Sequence, residues 1–245
     1  MKGQIAPYRI AWSENFPPVI LNSGLGDASK HPQYLAAKSG DLEAAAKLVS
    51  DLISGETVAK LVEIIGDKDA LLIPVHAEEL ISINQIPLAY SVAIGRKLNI
   101  PVETNIVQSA KVNRTGSDGF ARLAFPPPFS GKPSRTAPFA VIIDDTLTQG
   151  GTLANLMGHV DGFGIKTIAA TTLTGKNYSS VLAISSDTLT TIRTQYADLE
   201  RWWVDFFGYD FSCLTESEAR YIINSKKNAI EIRDRIIAER QAGIF

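Results

Sequence analysis

The apolar positions change period twice along the chain. After Asp41 they recur at helical spacing, with Leu42, Ala45, Ala46, Val49, Leu52 and Ile53 on one face. A second helix is predicted over 56–65, stopping at Gly66. From residue 70 short apolar runs alternate with longer amphipathic segments. Runs at 70–75, 102–107, 139–143 and 166–172 predict strands. The segment 84–98, opened by Asn84 and tolerating Pro87 in its first turn, predicts a helix, as does the stripe Leu153, Leu156, Met157 and Val160. Strands alternating with helices predict a parallel sheet with right-handed crossovers. Beyond Gly175 the spacing is helical: Leu189, Ile192, Tyr196, Leu199, Trp203 and Phe206 share one stripe, and Thr215-Glu216-Ser217-Glu218 is a capping box. Residues 1–30, broken by Pro17-Pro18 and Gly24-Leu25-Gly26, read as an irregular arm. The expected fold class is α/β, a central mainly parallel sheet flanked by helices, divided into an arm (1–40), a core (41–175) and a helical C-terminal segment (176–245).

Composition narrows the picture. With 245 residues, 45% of them hydrophobic and 20% charged, the chain can bury a full core without covalent staples. The lone cysteine, Cys213, permits neither an internal disulfide nor a cysteine-based zinc site, which suits a reducing cytoplasm. The first residues lack the apolar stretch of a secretory signal, and the apolar runs fall short of the roughly 18 residues that suggest a membrane span. A formal net charge of −2 gives no electrostatic reason to expect nucleic acid as a partner. One feature departs from the ordinary. Residues 108–136, with Gly116, Gly119, Pro126-Pro127-Pro128 and Gly131, predict a long loop, and loops of that length in compact domains are usually functional.

The chemistry concentrates between Ala140 and Leu153. An apolar strand delivers Asp144 and Asp145 to the C-terminal edge of the sheet, where open α/β sheets bind ligands. Thr146, Leu147, Thr148, Gln149, Gly150, Gly151 and Thr152 follow and lead straight into a helix. Glycines there allow close backbone approach, and helix-start amides attract an anion. Hydroxyl donors bind phosphate while adjacent acids accept bonds from sugar hydroxyls, so the array fits a phosphorylated ribose. No Gly-Lys-Ser/Thr closes the loop and no three-glycine fingerprint opens it, which excludes a nucleotide P-loop and a dinucleotide turn.

This segment resembles the phosphoribosyl pyrophosphate (PRPP) motif of type I phosphoribosyltransferases. The resemblance implies that family's fold, with a hood drawn from the N-terminal and C-terminal segments. It implies that Asp144 and Asp145 contact the ribose 2′ and 3′ hydroxyls and stand at a Mg²⁺ site, and that residues 146–152 hold the 5′-phosphate. The earlier strand and the loop through Val75, His76 and Ala77 resemble the family's pyrophosphate loop, although Glu78 and Glu79 are unusual there. Lys111, Arg114 and Arg122 correspond to cations of the long loop that closes over pyrophosphate. Gln108-Ser109 with Arg114, Arg122 and Phe129 is loosely similar to the loop of phosphoribosyltransferases related to competence protein F, whose zinc-ribbon segment is absent here.

The implied activity is transfer of phosphoribose from PRPP to a nitrogen acceptor of nucleobase type, in a homodimer. Thr148 stands where 6-oxopurine enzymes carry an acid, which argues against hypoxanthine or guanine. A non-catalytic PRPP sensor and a PRPP hydrolase are the competing expectations. His31, His76 and His159 have no nucleophilic partner in the sequence, and Trp203, on the apolar stripe, is expected in the core rather than against a base.

Overall fold

A computed structural model describes residues 9–77, 84–109 and 118–242. In chain order its elements are β1 (Ile20–Gly24), α1 (Tyr34–Lys38), α2 (Leu42–Leu52), α3 (Gly55–Ile65), β2 (Ala70–Pro74), α4 (Ile86–Leu98), β3 (Val107–Gln108), α5 (Gly119–Ala124), β4 (Phe129–Ser130), β5 (Phe139–Leu147), α6 (Gly151–Asp161) and β6 (Lys166–Gly175). The helices α7 (Ser186–Gln195), α8 (Ala197–Phe207), α9 (Glu216–Asn224) and α10 (Ala229–Ala242) follow. Local chemistry sets many of the ends. The Asp41 carboxylate accepts from the Ala44 amide at 2.9 Å to open α2, and the Ser54 hydroxyl accepts from Thr57 at 3.1 Å to open α3. Gly66 closes α3 at φ 53°. The capping box predicted at Thr215 and Glu218 opens α9 in both of its bonds.

The central sheet is parallel throughout, in the order β1-β6-β5-β2. Its two faces bury different partners because strand side chains alternate. Val141 and Ile143 of β5 face a core with Leu48, Leu61, Tyr90 and Ile94 from α2, α3 and α4. Ala140, Ile142 and Leu147 face a second core with Leu153, Leu156 and Val160 of α6. A third core joins α5 to α7–α10 around Trp203, Phe207, Phe211 and Ile236. Trp203 is fully buried there, as its stripe predicts.

Several expectations need correction. Residues 1–30 are not irregular throughout, because Ile20–Gly24 is the edge strand beside β6. The run at 102–107 forms no full sheet strand. Val102 makes a single parallel bridge to Leu72, and Val107–Gln108 pairs instead with Phe129–Ser130 in a two-stranded antiparallel ribbon. The long loop therefore contains β4 and also α5, whose Phe120 and Leu123 join the third core. The stripe after Gly175 breaks at Tyr196, between α7 and α8, and this turns Phe207 inward (1% exposed) and Phe206 outward (37%). Among the described residues no helix is long and apolar enough to cross a membrane.

Candidate functional site

β5 lies inside the sheet, between β6 and β2, and runs through both acids before it turns. Asp144 and Asp145 are both buried at its C-terminal end, yet they meet different surroundings. Asp145 continues the face of Val141 and Ile143. Its Oδ2 accepts from Lys38 Nζ in an ion pair, and from Asn84 Nδ2 at 3.1 Å. Asp144 instead lines the cavity enclosed by residues 146–153. Its Oδ1 accepts the local Asp145 amide at 2.8 Å, and its side chain also pairs with the Asp145 carboxyl.

The charges follow from these partners. Burial, then the neighbouring charge of Asp145, push the Asp144 carboxyl well above the usual carboxylate range. Burial pushes Asp145 the same way, but Lys38 and Asn84 outweigh it and hold this carboxyl below its ordinary value. Lys38 is raised in turn: burial opposes its charge and Asp145 more than restores it. Folding thus drives the two carboxyls apart, Asp144 toward its protonated form and Asp145 toward its ionised form. Lys38 was not visible as a site residue in the sequence; its only signal was its place in an arm expected to form a hood.

The loop after the acids is tied down at both ends. Thr146 Oγ1 lies 3.1 Å from Thr174 Oγ1, the Lys176 amide donates to Leu147 O at 3.2 Å, and Thr215 Oγ1 donates to Gln149 O at 2.5 Å. Gly150 takes φ 83° at the start of α6, the left-handed region that favours glycine. The cavity bounded by Asp144, this loop, the first turn of α6, Arg122 and Glu218 measures about 20 Å³, room for about one water.

Behind the loop sits a buried ion pair that no sequence motif announced. Arg9 donates to both oxygens of Glu218 at 2.7 and 3.0 Å, with both side chains 2% exposed. Arg9 also donates to Asn155 Oδ1 at 2.5 Å and to Gly151 O at 3.3 Å, and stacks over the Tyr209 ring at 5.0 Å. Burial disfavours the Arg9 charge, and the Glu218 carboxylate reverses this and holds the guanidinium above its ordinary value. Here the reading of the two glycines changes. A Cβ on Gly150 would collide with Leu182, and one on Gly151 with Glu218. The space a side chain would fill at these positions is taken by the protein's own interior rather than kept for a ligand.

The other predicted positions divide. Val75 donates its amide to Ile143 O at 2.7 Å, one step beyond the β2–β5 register. The His76 carbonyl accepts from the Gln108 amide at 2.7 Å, and Ala77 bridges Gln108. These three are set by backbone pairing at the same sheet edge as the acids, and the His76 ring nitrogen lies 3.4 Å from Pro74 O. Arg122, on α5, reaches the loop cavity, and its Nε is buried without a partner among the described residues. Lys111 and Arg114, like Glu78 and Glu79, lie outside the described residues. No group of three or more His, Cys, Asp or Glu side chains that could hold a metal occurs among the described residues. With Asp145 bound to Lys38, Asp144 remains as a single carboxylate. That donor set fits an ion that brings most of its oxygen ligands with it, as Mg²⁺ does, and does not make a protein cage.

Comparison with known proteins adds context. No family model matches the chain. It is 39% identical over 237 residues to Protein TraN of Escherichia coli, covering 96% of this chain and 52% of that protein. It is 48% identical over 152 residues to an uncharacterized protein of Haemophilus influenzae, covering 62% of this chain and 34% of that protein. The chain thus spans between a third and about half of the length of these curated relatives. Among solved structures it is similar to the orotate phosphoribosyltransferase of Aeropyrum pernix, with a TM-score of 0.31, 12% identity, and 55% of this chain and 66% of that chain covered. For a hypoxanthine phosphoribosyltransferase of Staphylococcus aureus the values are 0.34, 11%, 62% and 76%. For an adenine phosphoribosyltransferase of Leishmania donovani they are 0.34, 14%, 68% and 75%.

Proposed function

We propose that the chain binds PRPP at the end of β5 and transfers its phosphoribosyl group to a nitrogen acceptor of nucleobase type, releasing pyrophosphate. The observation that carries this reading is the corner itself. A buried carboxyl, Asp144, stands at the C-terminal edge of a parallel sheet and faces a loop of hydroxyls and amides that opens a helix. Few ligands need both an acid and an anion cradle within one turn of chain; a ribose 5-phosphate does.

In this mechanism the loop 146–150 and the first turn of α6 hold the 5′-phosphate, with Arg122 supplying the compensating charge. Because the cavity is about the size of one water, the loop must part from Arg122 to admit the phosphate. The carboxyl of Asp144 accepts from a ribose hydroxyl and, once ionised, stabilises positive charge on the sugar as the anomeric C–O bond breaks. The electron pair of that bond leaves with pyrophosphate, the acceptor nitrogen forms the new C–N bond, and its proton passes to solvent. Asp144 would be the one protein carboxylate facing Mg²⁺, which supplies charge neutralisation for the departing pyrophosphate when bound. Lys38 keeps Asp145 ionised beside it, so the pair holds its proton on Asp144 until a cationic ligand arrives.

The test is to offer PRPP and Mg²⁺ with a panel of nucleobases and to identify products by mass. Base-dependent pyrophosphate release with a nucleotide product supports transfer. Base-independent release makes the protein a hydrolase, and binding without turnover makes it a sensor. Asp144→Asn is expected to weaken PRPP binding roughly 100-fold, the scale of losing a charge-assisted hydrogen bond with its metal contact. Unchanged PRPP affinity in that variant would remove the assignment.

A further inference from the structure

The peptide that joins Gln149 to Gly150 lies between β5 and α6, outside both elements. Its neighbours are held by backbone bonds. Leu147 O accepts the Lys176 amide at 3.2 Å, and Gly150 O accepts the Ala154 amide at 3.0 Å as α6 begins. The Gln149 carbonyl is held instead by a side chain 66 positions away, where Thr215 Oγ1 donates to it at 2.5 Å. Thr215 is fully buried and also opens α9, its oxygen accepting the Glu218 amide at 3.1 Å. A hydroxyl carries one proton and accepts through its lone pairs. The cap uses a lone pair, so the proton remains for a second partner, and that partner is Gln149. Capping α9 requires the first bond and not the second.

The backbone at Gly150 does nothing to fix this peptide's direction. Its φ is 83°, and turning the preceding peptide over would carry φ to negative values, which glycine adopts about as readily. The peptide unit is planar, so its carbonyl and its amide point in opposite directions. With the Gln149 carbonyl drawn to Thr215, the Gly150 amide faces away from Thr215. Gly150 lines the loop cavity and Thr215 does not, so the side away from Thr215 is the cavity side.

We propose that Thr215 is a positioning residue for anion binding: its hydroxyl holds the Gln149 carbonyl against α9 and so aims the Gly150 amide into the loop cavity. This rests on the reading of that cavity as the phosphate site. It makes the start of α9 a control point of the loop. When the hydroxyl is lost, the peptide is free to turn over, and a carbonyl oxygen then faces the anion where an amide donor stood. As the loop parts from Arg122 in front to admit a phosphate, Thr215 keeps its far side in place.

The experiment compares the wild type with Thr215→Ser, Thr215→Val and Ile222→Val. Serine can make both bonds, and valine keeps the shape of threonine and makes neither. Ile222→Val loosens the packing of α9 in the third core and leaves the hydroxyl in place. Thermal unfolding checks that each variant is folded, and Thr215→Ala serves as a second donor-free variant. Calorimetry measures affinity for PRPP with Mg²⁺ and for inorganic phosphate, and crystal structures of the wild type and Thr215→Val give the direction of the Gln149 carbonyl. Thr215→Ser and Ile222→Val are expected to bind within about twofold of the wild type. Thr215→Val is expected to bind both probes about tenfold more weakly, the scale of one hydrogen bond, with its Gln149 carbonyl turned away from α9. Wild-type affinity in Thr215→Val, an equal loss in Ile222→Val, or a carbonyl still directed at α9 overturns the proposal and leaves the PRPP reading standing. A wild type that binds phosphate and not PRPP removes the PRPP reading, and Thr215 is then judged on phosphate. A wild type that binds neither removes both.

Discussion

Two groups of charge flank the same loop after β5, and they are built on opposite rules. Behind the loop, Arg9 meets Glu218 through two hydrogen bonds and adds Asn155, so a buried cation is fully answered by buried partners. In front, Arg122, Lys176 and Arg220 surround open volume with no acid to answer them among the described residues. A burial cost can be offset inside the protein only by partners that cannot leave, and this is what fixes the C-terminal helices to the loop. Charges left unanswered at a cavity gain their partner only from solution. The two acids repeat the difference: Asp145 is paired with Lys38, and Asp144 lines a cavity.

The largest expected effect lies behind the loop. Arg9→Met is expected to destabilise the fold by about 3–5 kcal/mol, since it strands a buried carboxylate. Chemical unfolding reads this directly. A loss under about 1 kcal/mol would mean that the pair is not what holds α9 against the loop, and adding Glu218→Gln should recover part of the loss if it is. Gly151→Ala follows, at roughly 2 kcal/mol, because its methyl group must displace the Glu218 carboxylate.

Asp144→Asn works in the opposite direction. A carboxyl raised by folding is protonated more in the native than in the unfolded state, so its contribution to stability falls as pH rises from the ordinary value, about 4, through the native one. Asparagine cannot ionise. The variant is therefore expected to melt higher than the wild type at pH 8, with the gain vanishing below about pH 4, even as it loses PRPP. Coincident melting curves across that range would show that Asp144 is not held protonated. The smallest effect belongs to the front. Lys176→Ala and Arg220→Ala should each change unfolding free energy by less than about 0.5 kcal/mol, the range of surface substitutions that break no specific partner. A larger loss would mean that these cations serve the fold after all.

Much of the core was legible from residue order. The apolar runs at 70–75, 139–143 and 166–172 became β2, β5 and β6, because fully buried parallel strands must be continuously apolar. The edge strand Ile20–Gly24 escaped because it is only half buried and sits between prolines and glycines. The run at 102–107 misled because Pro101 and Val102 give the sheet one bridge before the chain leaves to form its own ribbon.

By itself the sequence determined the acid-tipped strand, the loop and the helix after it. Their chemistry lies within fourteen consecutive residues, 140–153, and local geometry follows from local order. Only the tertiary structure decided what each charge meets. Arg9 and Glu218 are separated by 209 positions and Lys38 and Asp145 by 107, so no spacing rule connects them. Whether a cation is neutralised or left facing a cavity depends on which distant side chain packing brings within reach. Coulombic attraction and burial act through space, and the order of residues along the chain records neither.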